Sequence, residues 1–260
     1  MSNYYHGAKA SKQATSVSTP VVADSSIHLI VGTAPVHTVG GKVNEPIYAS
    51  NYAEAVAAMG YSDEWDKYDI CEEIYSSFKL YSNGPIIMVN VLDPAKHLKG
   101  AETVEKTLAG GITELPYEAV SDTVEVKGYD GEDSLTEAYT RGEDYDLFYT
   151  DGVLRLERIE SGKIKADNAR LNIKFNSVDP SKVTKKDIIG GYDTNTNKSS
   201  GFELVDSVYP KYGVIPTLFL APNFSTDSEV AAIMAAKAEN INGLFTGKAC
   251  LLYTSDAADE

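Results

Sequence analysis

The 260-residue chain reads as an α/β protein in which an α/β core carries an inserted small antiparallel β domain and an extended N-terminal arm. Three observations predict this class. Nearly unbroken apolar runs at residues 26–32, 86–92 and 213–221 have the composition of strands covered on both faces, as in a parallel sheet. Amphipathic helical patterns accompany them at the spacing of strand–helix–strand crossovers. Between residues 99 and 186 the apolar period drops to two, with turn signals between the runs, the mark of antiparallel strands with one wet face. The division is residues 1–19 for the arm, 20–98 and 187–249 for the two parts of the core, and 99–186 for the insertion.

The arm is polar and small, rich in Ser, Thr, Ala and Lys, and without a helical or strand period. It is read as an extended segment suited to pairing with another subunit. Residues 26–32 form the first strand, ending in the loop Thr33, Ala34, Pro35. Ser50 is placed to cap a helix over 51–59, with Tyr52, Ala55, Val56 and Met59 on one face and Gly60 ending it. A second helix is expected over 69–82. Its stripe is Ile70, Cys71, Ile74, Phe78 and Tyr81, with Glu72, Glu73 and Lys79 outside it, and Asn83, Gly84 and Pro85 stop it.

In the insertion, residues 123–127, 153–159 and 169–175 alternate apolar and charged groups. Turns are expected at 129–131, 150–152 and 161–162. The α/β pattern resumes near Asp187. Phe202, Leu204, Val205 and Val208 make one helix face. In the strand at 213–221, Pro216 marks an irregularity or an edge. Thr226 and Glu229 have the spacing of a capping box, opening a helix over 226–242 that points Val230, Ile233, Met234, Ala238 and Ile241 inward. Residues 250–260 resemble the translation of a transposon-derived sequencing adapter, and are read as not belonging to the fold. With them set aside, the chain is expected to be the N-terminal part of a longer protein.

Composition bounds the function. A formal net charge of −15 disfavours a nucleic-acid groove, which needs basic patches against phosphate, and an anionic membrane surface. No apolar run nears the roughly 20 residues that span a bilayer. The two cysteines, Cys71 and Cys250, do not suggest a disulfide framework, and the opening residues lack a signal-peptide pattern. A soluble protein of a reducing cytoplasm is expected. The 17 tyrosines suit protein interfaces.

Catalytic and cofactor motifs fail on spacing. Gly243 to Lys248 has three residues between its glycines, where a phosphate loop needs four, and position 249 is Ala in place of a hydroxyl residue. His6, His28, His37 and His97 are scattered, without metal-ligand spacing, and His28 reads as a core or interface histidine. Cys71 reads as a small hydrophobe. Glu143, Asp144, Asp146 and Asp151 lack calcium-loop spacing and read as a solvated turn region. The glycine-marked turns at 190–193 and 195–201 fix no base, ribose or metal. No catalytic residue, metal or cofactor is assigned.

Several stretches resemble the tail sheath family of contractile phages, bacteriocins and related injection machines. Residues 2–7 are similar to sheath chains that open with an aromatic and His-Gly signature. Residues 17–19, then 30–35 with Asn44, Glu45 and Pro46, resemble the family's first strand and loop. Residues 84–91 match the strand ending the first crossover. The fullest likeness runs through 187–191, Thr194, 201–209, 214–216, 220–222 and 238–243. The inserted domain is matched by position alone. A further α/β segment and a C-terminal arm of the family are absent from residues 1–249.

The resemblance implies a structural subunit without bond chemistry. It would stack in six-fold rings around a tail tube and contract to drive that tube through a cell envelope, the arms adding strands to neighbouring subunits. It implies as partners other copies of the chain, the tail tube protein, and baseplate and tail terminator proteins, with neither nucleic acid nor membrane insertion. The implied location is the virion tail sheath, after the bacterial cytoplasm. Tyr4, Tyr5, His6, Val17 and Val21 are the expected subunit contacts of the arm, and residues 1–249 alone are expected to be largely monomeric. Two other readings are an α/β nucleotide- or sugar-binding enzyme with a β insertion, using polar groups near Thr33, Asn90 or Asn223, and a monomeric binding module.

Overall fold

The computed structural model describes residues 27–129 and 134–251. In chain order its first part holds β1 (His28–Gly32), β2 (Ile47–Ala49), α1 (Tyr52–Met59), α2 (Asp69–Tyr75) and β3 (Ile86–Asn90). Then come β4 (Glu102–Thr107), β5 (Ile112–Glu114), β6 (Glu125–Tyr129), β7 (Ser134–Tyr139), β8 (Tyr145–Thr150), β9 (Val153–Arg158) and β10 (Arg170–Phe175). The last part holds α3 (Lys185–Ile189), β11 (Gly191–Asp193), β12 (Lys198–Ser200), α4 (Val205–Tyr212), β13 (Leu218–Leu220), α5 (Ser228–Glu239) and β14 (Lys248–Ala249). The expected arm contacts Tyr4, Tyr5, His6, Val17 and Val21 lie outside the described residues, as do most of the turn expected at 129–131 and residues 252–260.

One sheet has the order β14-β13-β1-β3-β2. β1 pairs in parallel with both β13 and β3, β13 pairs in parallel with β14, and β2 alone runs antiparallel, on β3. The unbroken apolar runs are explained by helices on both faces. Ile30, Ile86 and Met88 pack on one side with Ala55 and Met59 of α1 and Ile70 and Ile74 of α2. Leu29, Val31, Ile87, Val89 and Phe219 pack on the other with Val205 and Val208 of α4 and Val230, Met234 and Ala238 of α5. Successive strand residues point to opposite faces, so one run serves both layers. Pro216 stands just before β13, where its missing N–H costs the ladder nothing.

Two antiparallel sheets, β4-β10-β6-β7 and β5-β9-β8, hold the alternating segments. Leu154 and Leu156 of β9 meet Leu171, Ile173 and Phe175 of β10 in one core with Val126, Tyr145 and Leu147. β8 and β9 are joined at Asp151 and Gly152, whose φ angles of 51° and 81° suit the tight hairpin expected there. β4, β5, β7 and β8 were not expected as strands. β4 shows why: half-buried positions alternate with exposed ones, and Val104 is its one apolar residue.

Helix ends differ from expectation in register. Asn51, not Ser50, caps α1, its side chain accepting from Glu54 N at 3.0 Å. Asp227, not Thr226, caps α5, accepting from Glu229 N at 2.9 Å and Val230 N at 3.3 Å, and the helix ends at Glu239 rather than 242. A carboxylate outdoes a hydroxyl here because it accepts two orphan N–H groups at the positive helix end. The second expected helix is α2 followed by a π-helical turn over Ser76–Leu80. That wider turn breaks the expected stripe: Ser77 is buried and Tyr81 is 77% exposed. Among the described residues no helix is long and apolar enough to cross a membrane.

Candidate functional site

Two places gather polar groups. The first is the carboxyl end of the parallel sheet. β1 connects onward to β3 on one side, while β13 lies on its other side, so the crevice outside β1 is a topological switch point. Gly32 ends β1, and Asp69 opens α2 directly above it. Asp69 Oδ1 accepts from Thr33 N at 2.6 Å and from Thr33 Oγ1 at 3.1 Å. Thr33 Oγ1 also donates to Lys67 O at 2.8 Å. Asp69 is 1% exposed, and its Oδ2 has no hydrogen-bond partner in the structure. Burial pushes the carboxyl up to about 7, against the pull of the Thr33 hydrogen bonds. Asp69 stands between two open clefts, one shared with Glu72 and Glu73 and the other with Asp66, Asp179 and Asn223.

Of the polar groups an enzyme would need at this end, Thr33 bonds Asp69 and lines an open cleft, while Asn90 serves the backbone. Asn90 Oδ1 accepts from Ala34 N at 2.9 Å and Leu92 N at 3.1 Å, and its Nδ2 donates to Leu92 O at 2.9 Å. Asn90 is fully buried, so these bonds hold the loops that leave β1 and β3. Asn223 does line a cleft, in a left-handed turn with φ 63°. Cys71 is buried, and burial pushes its thiol up to about 12, which suits packing and not nucleophilic attack.

The second place is the joint between the two kinds of sheet. The chain leaves β3 and re-enters at α3 through two strands that run side by side. Leu98 and Val178 form an antiparallel bridge, Lys99 N donates to Ser177 O at 2.8 Å, and Asp179 N donates to His97 O at 2.8 Å. Asp187 ties the re-entry down. Its Oδ2 accepts from Thr184 N at 2.9 Å and Thr184 Oγ1 at 2.7 Å, a capping box for α3, while its Oδ1 pairs with Lys96. Burial works to raise this carboxyl, but the Lys96 and Thr184 bonds outweigh it and hold it at about 2. His97 is buried, with Nδ1 accepting from Asp93 N at 2.9 Å, and its Nε2 stands 3.6 Å from Asp187 Oδ1. That is beyond hydrogen-bond range, and burial holds the imidazole below its usual range against the pull of Asp187.

A second set of contacts braces the joint. His37 Nε2 donates to Tyr117 O at 3.0 Å, and Tyr117 OH donates to Tyr61 O at 2.9 Å. Lys67 Nζ bridges Glu64 Oε2 at 2.9 Å and Glu118 Oε1 at 3.0 Å. Tyr117 meets both His37 and Tyr68 edge-on. This makes a mixed aromatic and polar joint, where ring contacts supply area, while the buried His37 Nδ1, Tyr61 OH and Tyr68 OH have no hydrogen-bond partner.

The remaining expected residues have structural places. His28 lies at the start of β1. Its Nδ1 donates to Glu73 Oε1 at 2.6 Å, and Asn83 Nδ2 stands 3.2 Å from its Nε2. Glu73, expected outside the packed stripe, is thereby drawn in. Asp144, expected in a solvated turn, is 2% exposed and accepts from Thr140 N at 2.9 Å and Lys163 N at 2.8 Å, bonds that lower its carboxyl below the usual range. Residues 243–247 form the loop between α5 and β14 and precede a strand, which a phosphate loop does not. Among the described residues, no three His, Cys, Asp or Glu side chains converge as metal ligands. Cys250 N donates to Phe219 O at 2.9 Å, extending the β14 ladder through a main-chain group that any residue would supply. Sequence reasoning passed over Asp69, because its role depends on Gly32 and Thr33, the latter 36 positions earlier in the chain.

A comparison with curated proteins bears on both places. Over 244 residues, 93% of its length, the chain is 28% identical to the tail sheath protein of Burkholderia phage BcepMu. The chain is thus similar to a tail sheath protein over nearly all of its own length. It spans about half of the curated relative it matches, 48% of that protein's length. The aligned length is too great for either kind of sheet alone, so the sheath likeness takes in both the α/β part and the antiparallel part. No protein-family model matches the chain.

Proposed function

We propose that this chain belongs to the tail sheath family and supplies a structural subunit of a contractile tail. In this reading copies stack as six-fold rings around a tail tube. The extended sheath shortens by rigid-body movement of its subunits and drives the tube through the target envelope, without catalysis. The observation that carries the reading is the 28% identity sustained over 93% of the chain. Asn90, at the carboxyl end of the sheet, is fully buried and braces loop backbone, which supports the reading.

Residues 99–186 act in this proposal as an inserted domain, placed on the outer surface of the sheath, with 20–98 and 187–249 as the core. Tyr4, Tyr5, His6, Val17 and Val21 belong to an arm that adds a strand to a neighbouring subunit. The partners are other copies, the tube protein, and the baseplate and terminator proteins, and the location is the virion tail. Co-expression with a tail tube protein from the same genome tests the reading. Regular ribbed tubes in negative-stain micrographs are expected when the whole gene is expressed. Separate particles and bare tubes would overturn it.

A further inference from the structure

The cleft between α2 and the loop after β13 gathers three acidic residues on a lining that is otherwise mostly apolar and includes Leu220, Ala221 and Cys250. It is an open space of about 230 Å³ at the carboxyl ends of β1 and β13, lined by Asp69, Glu72 and Glu73 with Ser76 and Pro222, and no lysine or arginine lines it. Glu73 shares its Oε1 between His28 and Ser77, at 2.6 Å each. Glu72 is exposed. Asp69 is the unusual member. It is buried, both Thr33 bonds fall on Oδ1, and Oδ2 has no partner. A buried carboxylate with an unused oxygen is costly unless an opposite charge or a donor reaches it.

The chemistry narrows the occupant. Three carboxylates repel an anion. A bound metal ion is disfavoured, because no three ligand-type side chains converge among the described residues. An ammonium or guanidinium fits better: it brings its own N–H donors, and its stem suits a side-chain-sized cleft. The source follows from charge. Copies of a chain with net charge −15 repel one another, so a close contact between them must set local cations against local carboxylates.

We propose that the Asp69–Glu72–Glu73 cleft receives a lysine or arginine side chain from a second copy of this chain. The proposal rests on the sheath reading, in which copies pack side by side. The incoming cation favours the ionised form of Asp69, so contact between copies releases a proton from that carboxyl near neutral pH.

Two measurements on the 260-residue chain test it. In the first, the Asp69 carboxyl carbon is followed by NMR as pH is varied, with and without N-acetyl-arginine methylamide. The probe is expected to lower the Asp69 midpoint by about one unit, roughly tenfold in proton affinity. It should do so much less in a Glu72→Gln, Glu73→Gln chain. An unmoved midpoint in the parent chain, or an equal shift in both chains, overturns the cleft as a cation site. The second measurement is carbodiimide cross-linking of an equal mixture of 14N and 15N chains at high concentration. Mixed-isotope links from Glu72 or Glu73 to a lysine are expected. Probe binding with links confined within one chain overturns the second copy as occupant and points to a cation from another protein. In the co-expression test of the sheath reading, tubes that assemble normally from the full-length protein carrying Glu72→Gln and Glu73→Gln would sink this proposal and leave that reading standing. Failure of all tube formation would instead count against the sheath reading, while the probe titration still decides the cleft.

Discussion

A methyl group at position 32 would stand 2.2 Å from Asp69 Oδ1, closer than any real contact allows. Gly32 is therefore the clearance that lets Asp69 sit over the end of β1 and grip Thr33. Gly32→Ala is expected to destabilise the chain by about 1–3 kcal/mol, as overpacking does. In an Asp69→Ala background most of that cost should vanish, since the obstacle is gone, and urea melts of the four chains of the cycle measure the coupling. Additive costs would show that the crowding lies elsewhere. Asp69 also makes stability depend on pH. Its folded-state carboxyl, at about 7, lies above its ordinary value of 3.8, so the folded chain binds the proton more tightly than the unfolded one. The resulting stability is complete below about pH 4 and is lost as pH rises through about 7. Asp69→Asn should remove a loss on the order of 2–4 kcal/mol between pH 4 and pH 8, seen as a flatter dependence of the urea midpoint. An unchanged slope would mean that Asp69 is ionised throughout.

Capping decides where the helices begin, and the choice between neighbouring candidates is testable. Asp227→Ala should destabilise the chain by about 1 kcal/mol, while Thr226→Ala should cost under about 0.5 kcal/mol, both read from thermal melts. The reverse order would restore the cap to Thr226. At α3 the capping carboxylate of Asp187 also holds Lys96, so two elements depend on one side chain. Its folded value of about 2 lies below the ordinary 3.8, so its contribution is present above about pH 4 and is lost as pH falls through 2. Asp187→Asn should lower the thermal midpoint at pH 7, with the gap to the parent chain closing toward pH 2. Existence and type were legible for the helices α1, α2, α4 and α5 and for the buried strands, but not for β4, β7 and β8, which are six residues each. Cap identity was not, because Ser50 and Asn51, or Thr226 and Asp227, are equally suitable residue types until the chain direction at the first turn is known. The π-helical turn at Ser76–Leu80 left no local signal either, and it carried Tyr81 out of the expected stripe.

For the whole molecule, what could be read in advance was set by how many faces of a strand are covered. Residues 86–90 are buried at every position, and such a run is conspicuous in any sequence. β4 is half wet along its length and became a strand only by pairing with β10 over six residues. Pairing order was beyond reach for the same reason: a ladder is made of main-chain groups, and nothing in β13 names β1 as its neighbour. The carboxyl-end groups Thr33 and Asn90 were visible as residues, yet their use in bracing loops depended on donors brought there by the fold.

The two strands that cross the joint lie side by side, with Leu98 opposite Val178. The antiparallel part therefore begins and ends at almost the same point in space, like a cartridge held by one fitting. Replacing residues 99–177 with a short glycine-rich turn is expected to leave a cooperatively folding five-stranded protein. The loss should centre on His37 and Tyr68, which would forfeit their cover by Tyr117. Circular dichroism melts and amide exchange of the shortened chain check this, and a molten product would show that the two parts fold as one. If the fitting holds, different cartridges can be exchanged on one frame without redrawing the frame.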